Sequence, residues 1–393
     1  MEWERQWAGR MKGVRPSPIM ELIKVLGQRR AINFASGLPD PDGFPLEGLR
    51  EAAAAILDVD WRAGLQYGEA EGYRPLREWV AGDLSARGVP TKAEQVLITS
   101  GSQQGIDLVG RALLQPGDIV VTENPSYLAA LQVFGSFEAT VRAITTDDEG
   151  IDVESAAAYL RQPGVKLLYL MANHQNPSGI TLASLRRRPI LEAARRAGVP
   201  VLADEAYLHL RYDPGVPQPL ASADPEAPVI TLGTFSKTIA PGLRVAYMAG
   251  PPEFMSRMGL LKQITDLHTS SYAQRLVYRY AASGEYPAHV ARLCAAFRKK
   301  RDCFLAALET RLGGQATWTR PAGGMFLLLR LPEGRSATTL LTRALDHGVA
   351  YVPGASFFPG GDGQNTMRLN FLSPALAEIQ DGVERLARAI VGD

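Results

Sequence analysis

The stretch Thr231-Leu-Gly-Thr-Phe-Ser-Lys-Thr-Ile-Ala-Pro-Gly-Leu-Arg244 decides how this chain is read. An apolar run, Val229–Leu232, gives way to small hydroxyl residues and a lysine, and an arginine follows seven positions later. The run reads as a buried strand, so Ser236 and Lys237 fall at its end, where ligands gather in open α/β sheets. Thirty-three residues upstream, Asp204 closes another apolar run, Val199-Pro-Val-Leu-Ala-Asp204. A bare carboxylate there is costly unless it is paired. Most lysines lie in solvent, but one half-removed from water beside a cation has a depressed pKa and becomes nucleophilic. Arg244 offers a phosphate the fork geometry that a lysine lacks. The ordinary alternatives are a surface lysine, a helix-capping aspartate and a structural arginine at a strand entry. A lysine amine, a buried carboxylate and phosphate-sized donors together describe a pyridoxal phosphate site. In it Lys237 would form the Schiff base and Asp204 would keep the pyridine nitrogen protonated.

Outward from this stretch, short apolar runs alternate with amphipathic ones. Val96–Thr99, Ile119–Thr122, Val141–Ile144, Leu167–Met171, Val199–Ala203, Val229–Leu232 and Val245–Ala249 read as buried strands. Between several of them lie helical patterns such as Leu185–Ala197. That alternation predicts an α/β fold: a three-layer α/β/α large domain on a mainly parallel seven-stranded sheet, plus a smaller α+β domain. We divide the chain into an N-terminal arm, 1–40, packing on the small domain, a large domain, 41–285, and a small C-terminal domain, 286–393. The small domain opens on a long charged helix, Ala288–Leu312, and continues with strand-like runs at Met325–Leu331, Val349–Val352 and Met367–Phe371.

Composition narrows the function classes. A chain of 393 residues can bury one large core and a smaller one. A net charge of +1 gives no electrostatic reason to expect nucleic acid or a membrane surface. The apolar runs are too short to span a bilayer, and the mixed-charge start is not expected to be a secretory signal. Cys294 and Cys303 suit neither a disulfide framework nor a common zinc spacing, so we expect no metal and a reducing, cytoplasmic setting.

Further motifs fall at strand ends. Gly101-Ser-Gln-Gln-Gly105 follows Val96–Thr99 and opens a helical pattern, presenting backbone N–H groups and a positive dipole end. Ser102 and Gln103 are thus phosphate candidates, although a plain helix cap at Ser102 explains the turn as well. Asn173-His-Gln-Asn-Pro-Ser-Gly179 is a turn signal that also sets Asn176 near a ring oxygen and the substrate. Tyr127 is a stacking platform or a core residue. Tyr207, three residues beyond Asp204, can direct its phenol at the cofactor's O3′.

These motifs, in this order, resemble the fold type I pyridoxal-phosphate aminotransferases of class I/II, in the branch containing α-aminoadipate and kynurenine aminotransferases. The resemblance runs through Pro16-Ser-Pro-Ile19, Phe34-Ala-Ser-Gly-Leu-Pro39, Leu65-Gln-Tyr67, Gly101-Ser-Gln-Gln104 and Gln175-Asn-Pro-Ser-Gly179. It continues through Phe235-Ser-Lys237, Pro241-Gly-Leu-Arg244, Asp266-Leu-His268, Gly323-Gly-Met-Phe326 and Val352-Pro-Gly354. It implies an aspartate aminotransferase-like fold with Lys237 carrying the cofactor, Asp204 on the ring nitrogen, Asn176 and Tyr207 on O3′, and Tyr127 on the ring face. Ser102, Gln103, Ser236 and Arg244 take the phosphate, with Thr234 as a further candidate. Arg368 and the Gly37 backbone hold the substrate α-carboxylate together with Asn176. Tyr67 reaches the phosphate of a neighbouring subunit, which implies a homodimer.

The reaction so implied is ping-pong amino transfer from an L-amino acid to 2-oxoglutarate, with aminoadipate, leucine-like and aromatic donors all open. Met20 stands where that branch can carry an arginine for a distal carboxylate, a departure that favours apolar or aromatic side chains, and Arg15 is a possible substitute. A β-lyase, decarboxylase or biosynthetic cyclase on the same scaffold is one alternative. A non-catalytic ligand-sensing domain is another.

Overall fold

In the computed structural model, which describes residues 3–14, 16, 31–215 and 218–392, the first strand is β1 (Ile32–Asn33). The main sheet follows: β2 (Val96–Thr99), β3 (Ile119–Asn124), β4 (Thr140–Asp147), β5 (Gly150–Ile151), β6 (Val165–Leu170), β7 (Val201–Asp204), β8 (Val229–Thr234) and β9 (Ala246–Ala249). Their spatial order is β2-β9-β8-β7-β6-β3-β4-β5. β9 runs against both neighbours and β5 folds back on β4, while the remaining pairs are parallel.

The central strands are buried on both faces, so alternate residues feed two cores. Leu167 and Tyr169 enter one hydrophobic cluster, and Leu168 and Leu170 enter the other. Each fully buried leucine of this kind contributes roughly 1.5–3 kcal/mol. Helices Ser102–Leu113, Leu128–Ser136 and Pro252–Asp266 pack on the first face, and Val153–Leu160 and Ser184–Ala197 on the second.

The expectation of seven strands is one short. Asp147–Gly150 forms a tight hairpin that adds Gly150–Ile151 at the sheet edge, and Gly150 reverses the chain at a φ of 98°. Two residues carry too little periodicity to be read as a strand. The run expected at Val199–Ala203 is strand only over Val201–Asp204, because Pro200 has no N–H for the ladder.

The second unit is a four-stranded antiparallel sheet of β11 (Phe326–Arg330) flanked by β10 (Thr317–Trp318) and β14 (Thr366–Asn370), with β13 (Val352–Pro353) at the edge. The long helix Tyr286–Leu312 packs on Ile379–Val391 and starts two residues before the expected Ala288, with Pro287 in its first turn. β1 pairs in parallel with β12 (Val349–Ala350) of this unit, and the Phe34 ring meets Phe304 edge-on at 4.8 Å. The short turn Gly9–Gly13 lies instead beside Leu128–Ser136, on the main-sheet side.

Between β1 and the first long helix, Leu46–Val59, residues 36–40 form a strap without regular structure. Side chains of the smaller unit hold it. Lys300 Nζ donates to Asp40 Oδ2 at 2.6 Å and to the carbonyls of Leu372 and Pro374 at 2.9 and 2.7 Å. Asn370 Nδ2 donates to the Ser36 carbonyl at 2.6 Å. The strap thereby sets Gly37 and Leu38 against the carboxyl ends of the main-sheet strands.

Candidate active site

Beyond the carboxyl ends of β3, β6, β7 and β8 lies a cavity of about 590 Å³. Every described residue given a site role in the sequence lines it except Tyr67. The Tyr67 ring is 77% exposed and meets His268 edge-on, turned to solvent in this single chain.

One end of the cavity is rich in anion-binding groups. Gly101, at a φ of 88°, turns the chain into the helix Ser102–Leu113, whose first N–H groups have no intrahelical acceptors. A Cβ there would also displace the Arg244 guanidinium, which lies across the turn. Ser102 Oγ is buried without a protein partner. From the opposite side, Thr234 Oγ1 donates to Ser236 Oγ at 2.9 Å and accepts the Ser236 N–H at 3.1 Å. Backbone N–H groups, hydroxyls and a guanidinium converging on one point suit a dianionic phosphate.

The middle of the cavity is set for a flat aromatic group. Asp204 is buried at the end of β7 and accepts from Tyr169 Oη at 2.9 Å and from the Ala206 N–H at 3.3 Å. Burial pushes its carboxyl up to about 6, against the Tyr169 and Ala206 hydrogen bonds that favour the charged form. A cationic ring nitrogen in the cavity would satisfy this carboxylate. Tyr127 opens the helix Leu128–Ser136 and faces the same space, its phenol pushed up to about 12 by burial and by Asp204. Tyr207 is raised further, burial being the chief cause, and its phenol interacts with the Asn176 amide.

The other end suits a carboxylate. Arg368, on β14, is 2% exposed and stands with its guanidinium 4.2 Å from the Phe326 ring centroid and 5.1 Å from that of Phe357. It donates to Asn176 Oδ1 at 3.2 Å and to the Ala35 carbonyl at 2.7 Å, and its Nε is buried without a protein partner. An uncompensated buried guanidinium calls for an anion.

Lys237 stands between the two ends and donates to the Gly37 carbonyl at 3.1 Å. Its amine is pushed down to about 8, first by burial, then by Arg244 and Arg368, with Asp204 opposing. Reading the sequence missed Tyr169 and Phe326 as site residues. Tyr169 carried the one usable signal, a lone phenol in the apolar run Leu167–Met171, on the face opposite Leu168 and Leu170.

The donor set fits pyridoxal phosphate: a phosphate cup, an aromatic platform, a carboxylate for the ring nitrogen and an amine of lowered basicity. Among the described residues no group of histidine, cysteine, aspartate or glutamate is arranged to hold a metal ion, and no helix is long and apolar enough to cross a membrane.

Residues 29–386 match the sequence model of the family described as aminotransferase class I and II. Aromatic-amino-acid aminotransferase 1 of Thermococcus litoralis is 38% identical over 396 residues, spanning 99% of this chain and 95% of the relative. The crystal structure of Pyrococcus horikoshii kynurenine aminotransferase in complex with PMP superposes with a TM-score of 0.95 at 39% identity, covering 99% of this chain and 98% of that one. The α-aminoadipate aminotransferase of Thermus thermophilus, complexed with N-(5′-phosphopyridoxyl)-L-leucine, gives a TM-score of 0.94 at 36% identity, covering 100% and 99%.

Proposed function

The chain belongs to the class I and II aminotransferases and is a pyridoxal phosphate-dependent transaminase, and we propose that it moves the amino group of L-amino acids with apolar or aromatic side chains to 2-oxoglutarate by a ping-pong route. One observation carries the donor preference. The cations lining the cavity are Lys237, Arg244 and Arg368, all three assigned to cofactor or α-carboxylate. The remaining wall around Leu38, Leu128, Ala129 and Phe326 is uncharged, with Gln132 its one amide. Among the described residues nothing there pairs with a distal carboxylate. Met20 and Arg15, which bear on the same question, lie outside the described residues.

Residue roles follow from position. Ser102, Gln103, Ser236 and Arg244 hold the phosphate, with Thr234 orienting Ser236. Asp204, steadied by Tyr169, keeps a proton on the ring nitrogen, while Asn176 and Tyr207 serve the ring oxygen. Tyr127 covers the ring face. When bound, pyridoxal phosphate supplies an aldehyde that exchanges amines and a ring that accepts the electron pair released at the substrate α-carbon. Arg368, with Asn176 and the Gly37 backbone, fixes the α-carboxylate so that the α-hydrogen points at Lys237. Lys237 Nζ takes that proton as general base and returns it on the product side. Tyr67 extends to the phosphate of a second subunit, which makes a homodimer the working unit. Residues 41–285 then form the cofactor domain, with 286–393 as the smaller domain and 1–40 as the arm. A reducing, cytoplasmic setting belongs to the same proposal, supported by the two unpaired cysteines.

A panel of amino donors with 2-oxoglutarate tests the preference. Leucine-like and aromatic donors are expected to exceed aminoadipate and glutamate in kcat/KM by about tenfold, the scale of one apolar-pocket discrimination. Activity confined to aminoadipate and glutamate defeats it. A second expectation concerns pH. Only a neutral amine attacks an aldehyde, so cofactor uptake by the apo-protein should climb below about pH 8 and level above it, in step with the Lys237 amine. An uptake rate still climbing at the ordinary lysine range, roughly pH 10.4, contradicts the lowered basicity.

A further inference from the structure

Beneath the phosphate end of the cavity lies an ion pair between a buried lysine and a half-buried aspartate that none of the roles above uses. Lys262 is 0% exposed, and its Nζ donates to both Asp266 carboxylate oxygens, at 2.8 and 3.0 Å, and to Gln104 Oε1 at 2.9 Å. Asp266 Oδ2 also accepts from Ser100 Oγ at 3.0 Å and from Gln104 Nε2 at 2.6 Å. Gln104 Oε1 takes the Ser100 N–H at 2.8 Å. Ser100 and Gln104 bracket Gly101–Gln103, so both flanks of the phosphate turn are tied to a single carboxylate.

That carboxylate poses an electrostatic problem. It lies one hydrogen bond from either side of a turn that presents its N–H groups to a dianion. Burial disfavours charge on Asp266, yet hydrogen bonds from Lys262, Gln104 and Ser100 hold its carboxyl below the usual range. Ser100 and Gln104 supply hydrogen bonds but no charge, and only Lys262 cancels the negative charge. We propose that Lys262 is a positioning residue for the cofactor phosphate: it neutralises Asp266, so that the carboxylate can pin the turn without repelling the anion. The inference rests on the reading of Ser102, Gln103, Ser236 and Arg244 as the phosphate cup.

The test uses apo-protein of the wild type, Lys262→Met, Asp266→Asn and the double variant, each titrated by absorbance with pyridoxal phosphate and with pyridoxal, which lacks the phosphate. Lys262→Met is expected to weaken pyridoxal phosphate binding by about tenfold or more, as one uncancelled negative charge near a dianion at intermediate dielectric would. Pyridoxal affinity should change by less than about threefold, a selectivity that general loosening of the fold would not produce. Asp266→Asn should lose less, and adding it to Lys262→Met should restore most of the lost affinity. The proposal is overturned if Lys262→Met keeps its affinity, if both ligands weaken equally, or if the double variant is no better than Lys262→Met. Should Lys262→Met fail to fold, the double variant, which has neither charge, is compared with the wild type, in which the two charges cancel. Affinity within about threefold supports charge cancellation, and a loss of about tenfold overturns it. A wild type that binds neither ligand refutes the cofactor reading itself, a separate failure.

Discussion

Lys237→Ala is expected to lower transamination by about 10⁴-fold, the upper range for loss of a positioned general base. No other group in the cavity can take its place. The Tyr127 and Tyr207 phenols are pushed upward by burial and stay protonated, and Asp204 is engaged by Tyr169 and the Ala206 N–H. Arg244 and Arg368 are cations that do not accept protons at neutral pH. Lys237→Arg separates charge from basicity: it keeps a cation near the Gly37 carbonyl but cannot act as a base or attack an aldehyde, so it should be as inactive as the alanine variant. The fold should survive either change, because removing a partly desolvated amine leaves no buried anion unpaired except Asp204, which has its own hydrogen bonds. Borohydride reduction followed by peptide mapping supplies the second readout. The wild type should carry a pyridoxyl group on Lys237, and the alanine variant none. More than about one per cent of wild-type activity in Lys237→Ala, or a label on another residue, removes the basis of the mechanism.

Legibility in the sequence followed burial. Strands buried on both faces read as continuous apolar runs, so β3, β6, β7 and β8 could be found without a structure, and with them the residues at their ends. Asp204 and Lys237 stood out because a charge beside such a run demands a reason. The edge hairpin at Gly150–Ile151 was invisible, because its pairing depends on a turn rather than on periodicity. Lys262 and Asp266 were hidden differently: a lysine and an aspartate four apart look like an ordinary exposed helix pair, and only tertiary packing removes the lysine from water and half-buries the aspartate. Arg368 was assigned through family resemblance, yet nothing in Met367-Arg-Leu-Asn370 reveals the Phe326 and Phe357 rings that hold its guanidinium. Lys300 is a similar case, since its acceptors Asp40, Leu372 and Pro374 lie far along the chain in both directions.

Asp204→Asn should cost about 10³-fold in kcat/KM, the scale seen when one preorganised electrostatic contact to developing charge is removed. In the protein alone burial lifts the Asp204 carboxyl to about 6, while Tyr169 and the Ala206 N–H pull towards the charged form. A cation at the ring nitrogen would add to that pull, so in the loaded enzyme the carboxylate is expected to be ionised and the ring to keep its proton. Asparagine can offer a hydrogen bond but no negative charge, so the ring nitrogen loses the reason to stay protonated and the α-carbon proton becomes harder to remove. The phosphate cup lies elsewhere and should bind as before, which makes the variant coloured and nearly inactive rather than empty. Asp204→Glu keeps the charge but shifts the carboxylate by one methylene, and should fall between the wild type and Asp204→Asn. Tyr169→Phe isolates the supporting hydrogen bond, worth about 1.5–3 kcal/mol to a charged acceptor, and should reduce activity by roughly ten- to a hundredfold. The measurement is kcat/KM alongside cofactor affinity for all three. Loss of the cofactor in Asp204→Asn, or activity within about tenfold of wild type, would mean that this carboxylate does not hold the ring proton, because its charge would then be either structural or dispensable.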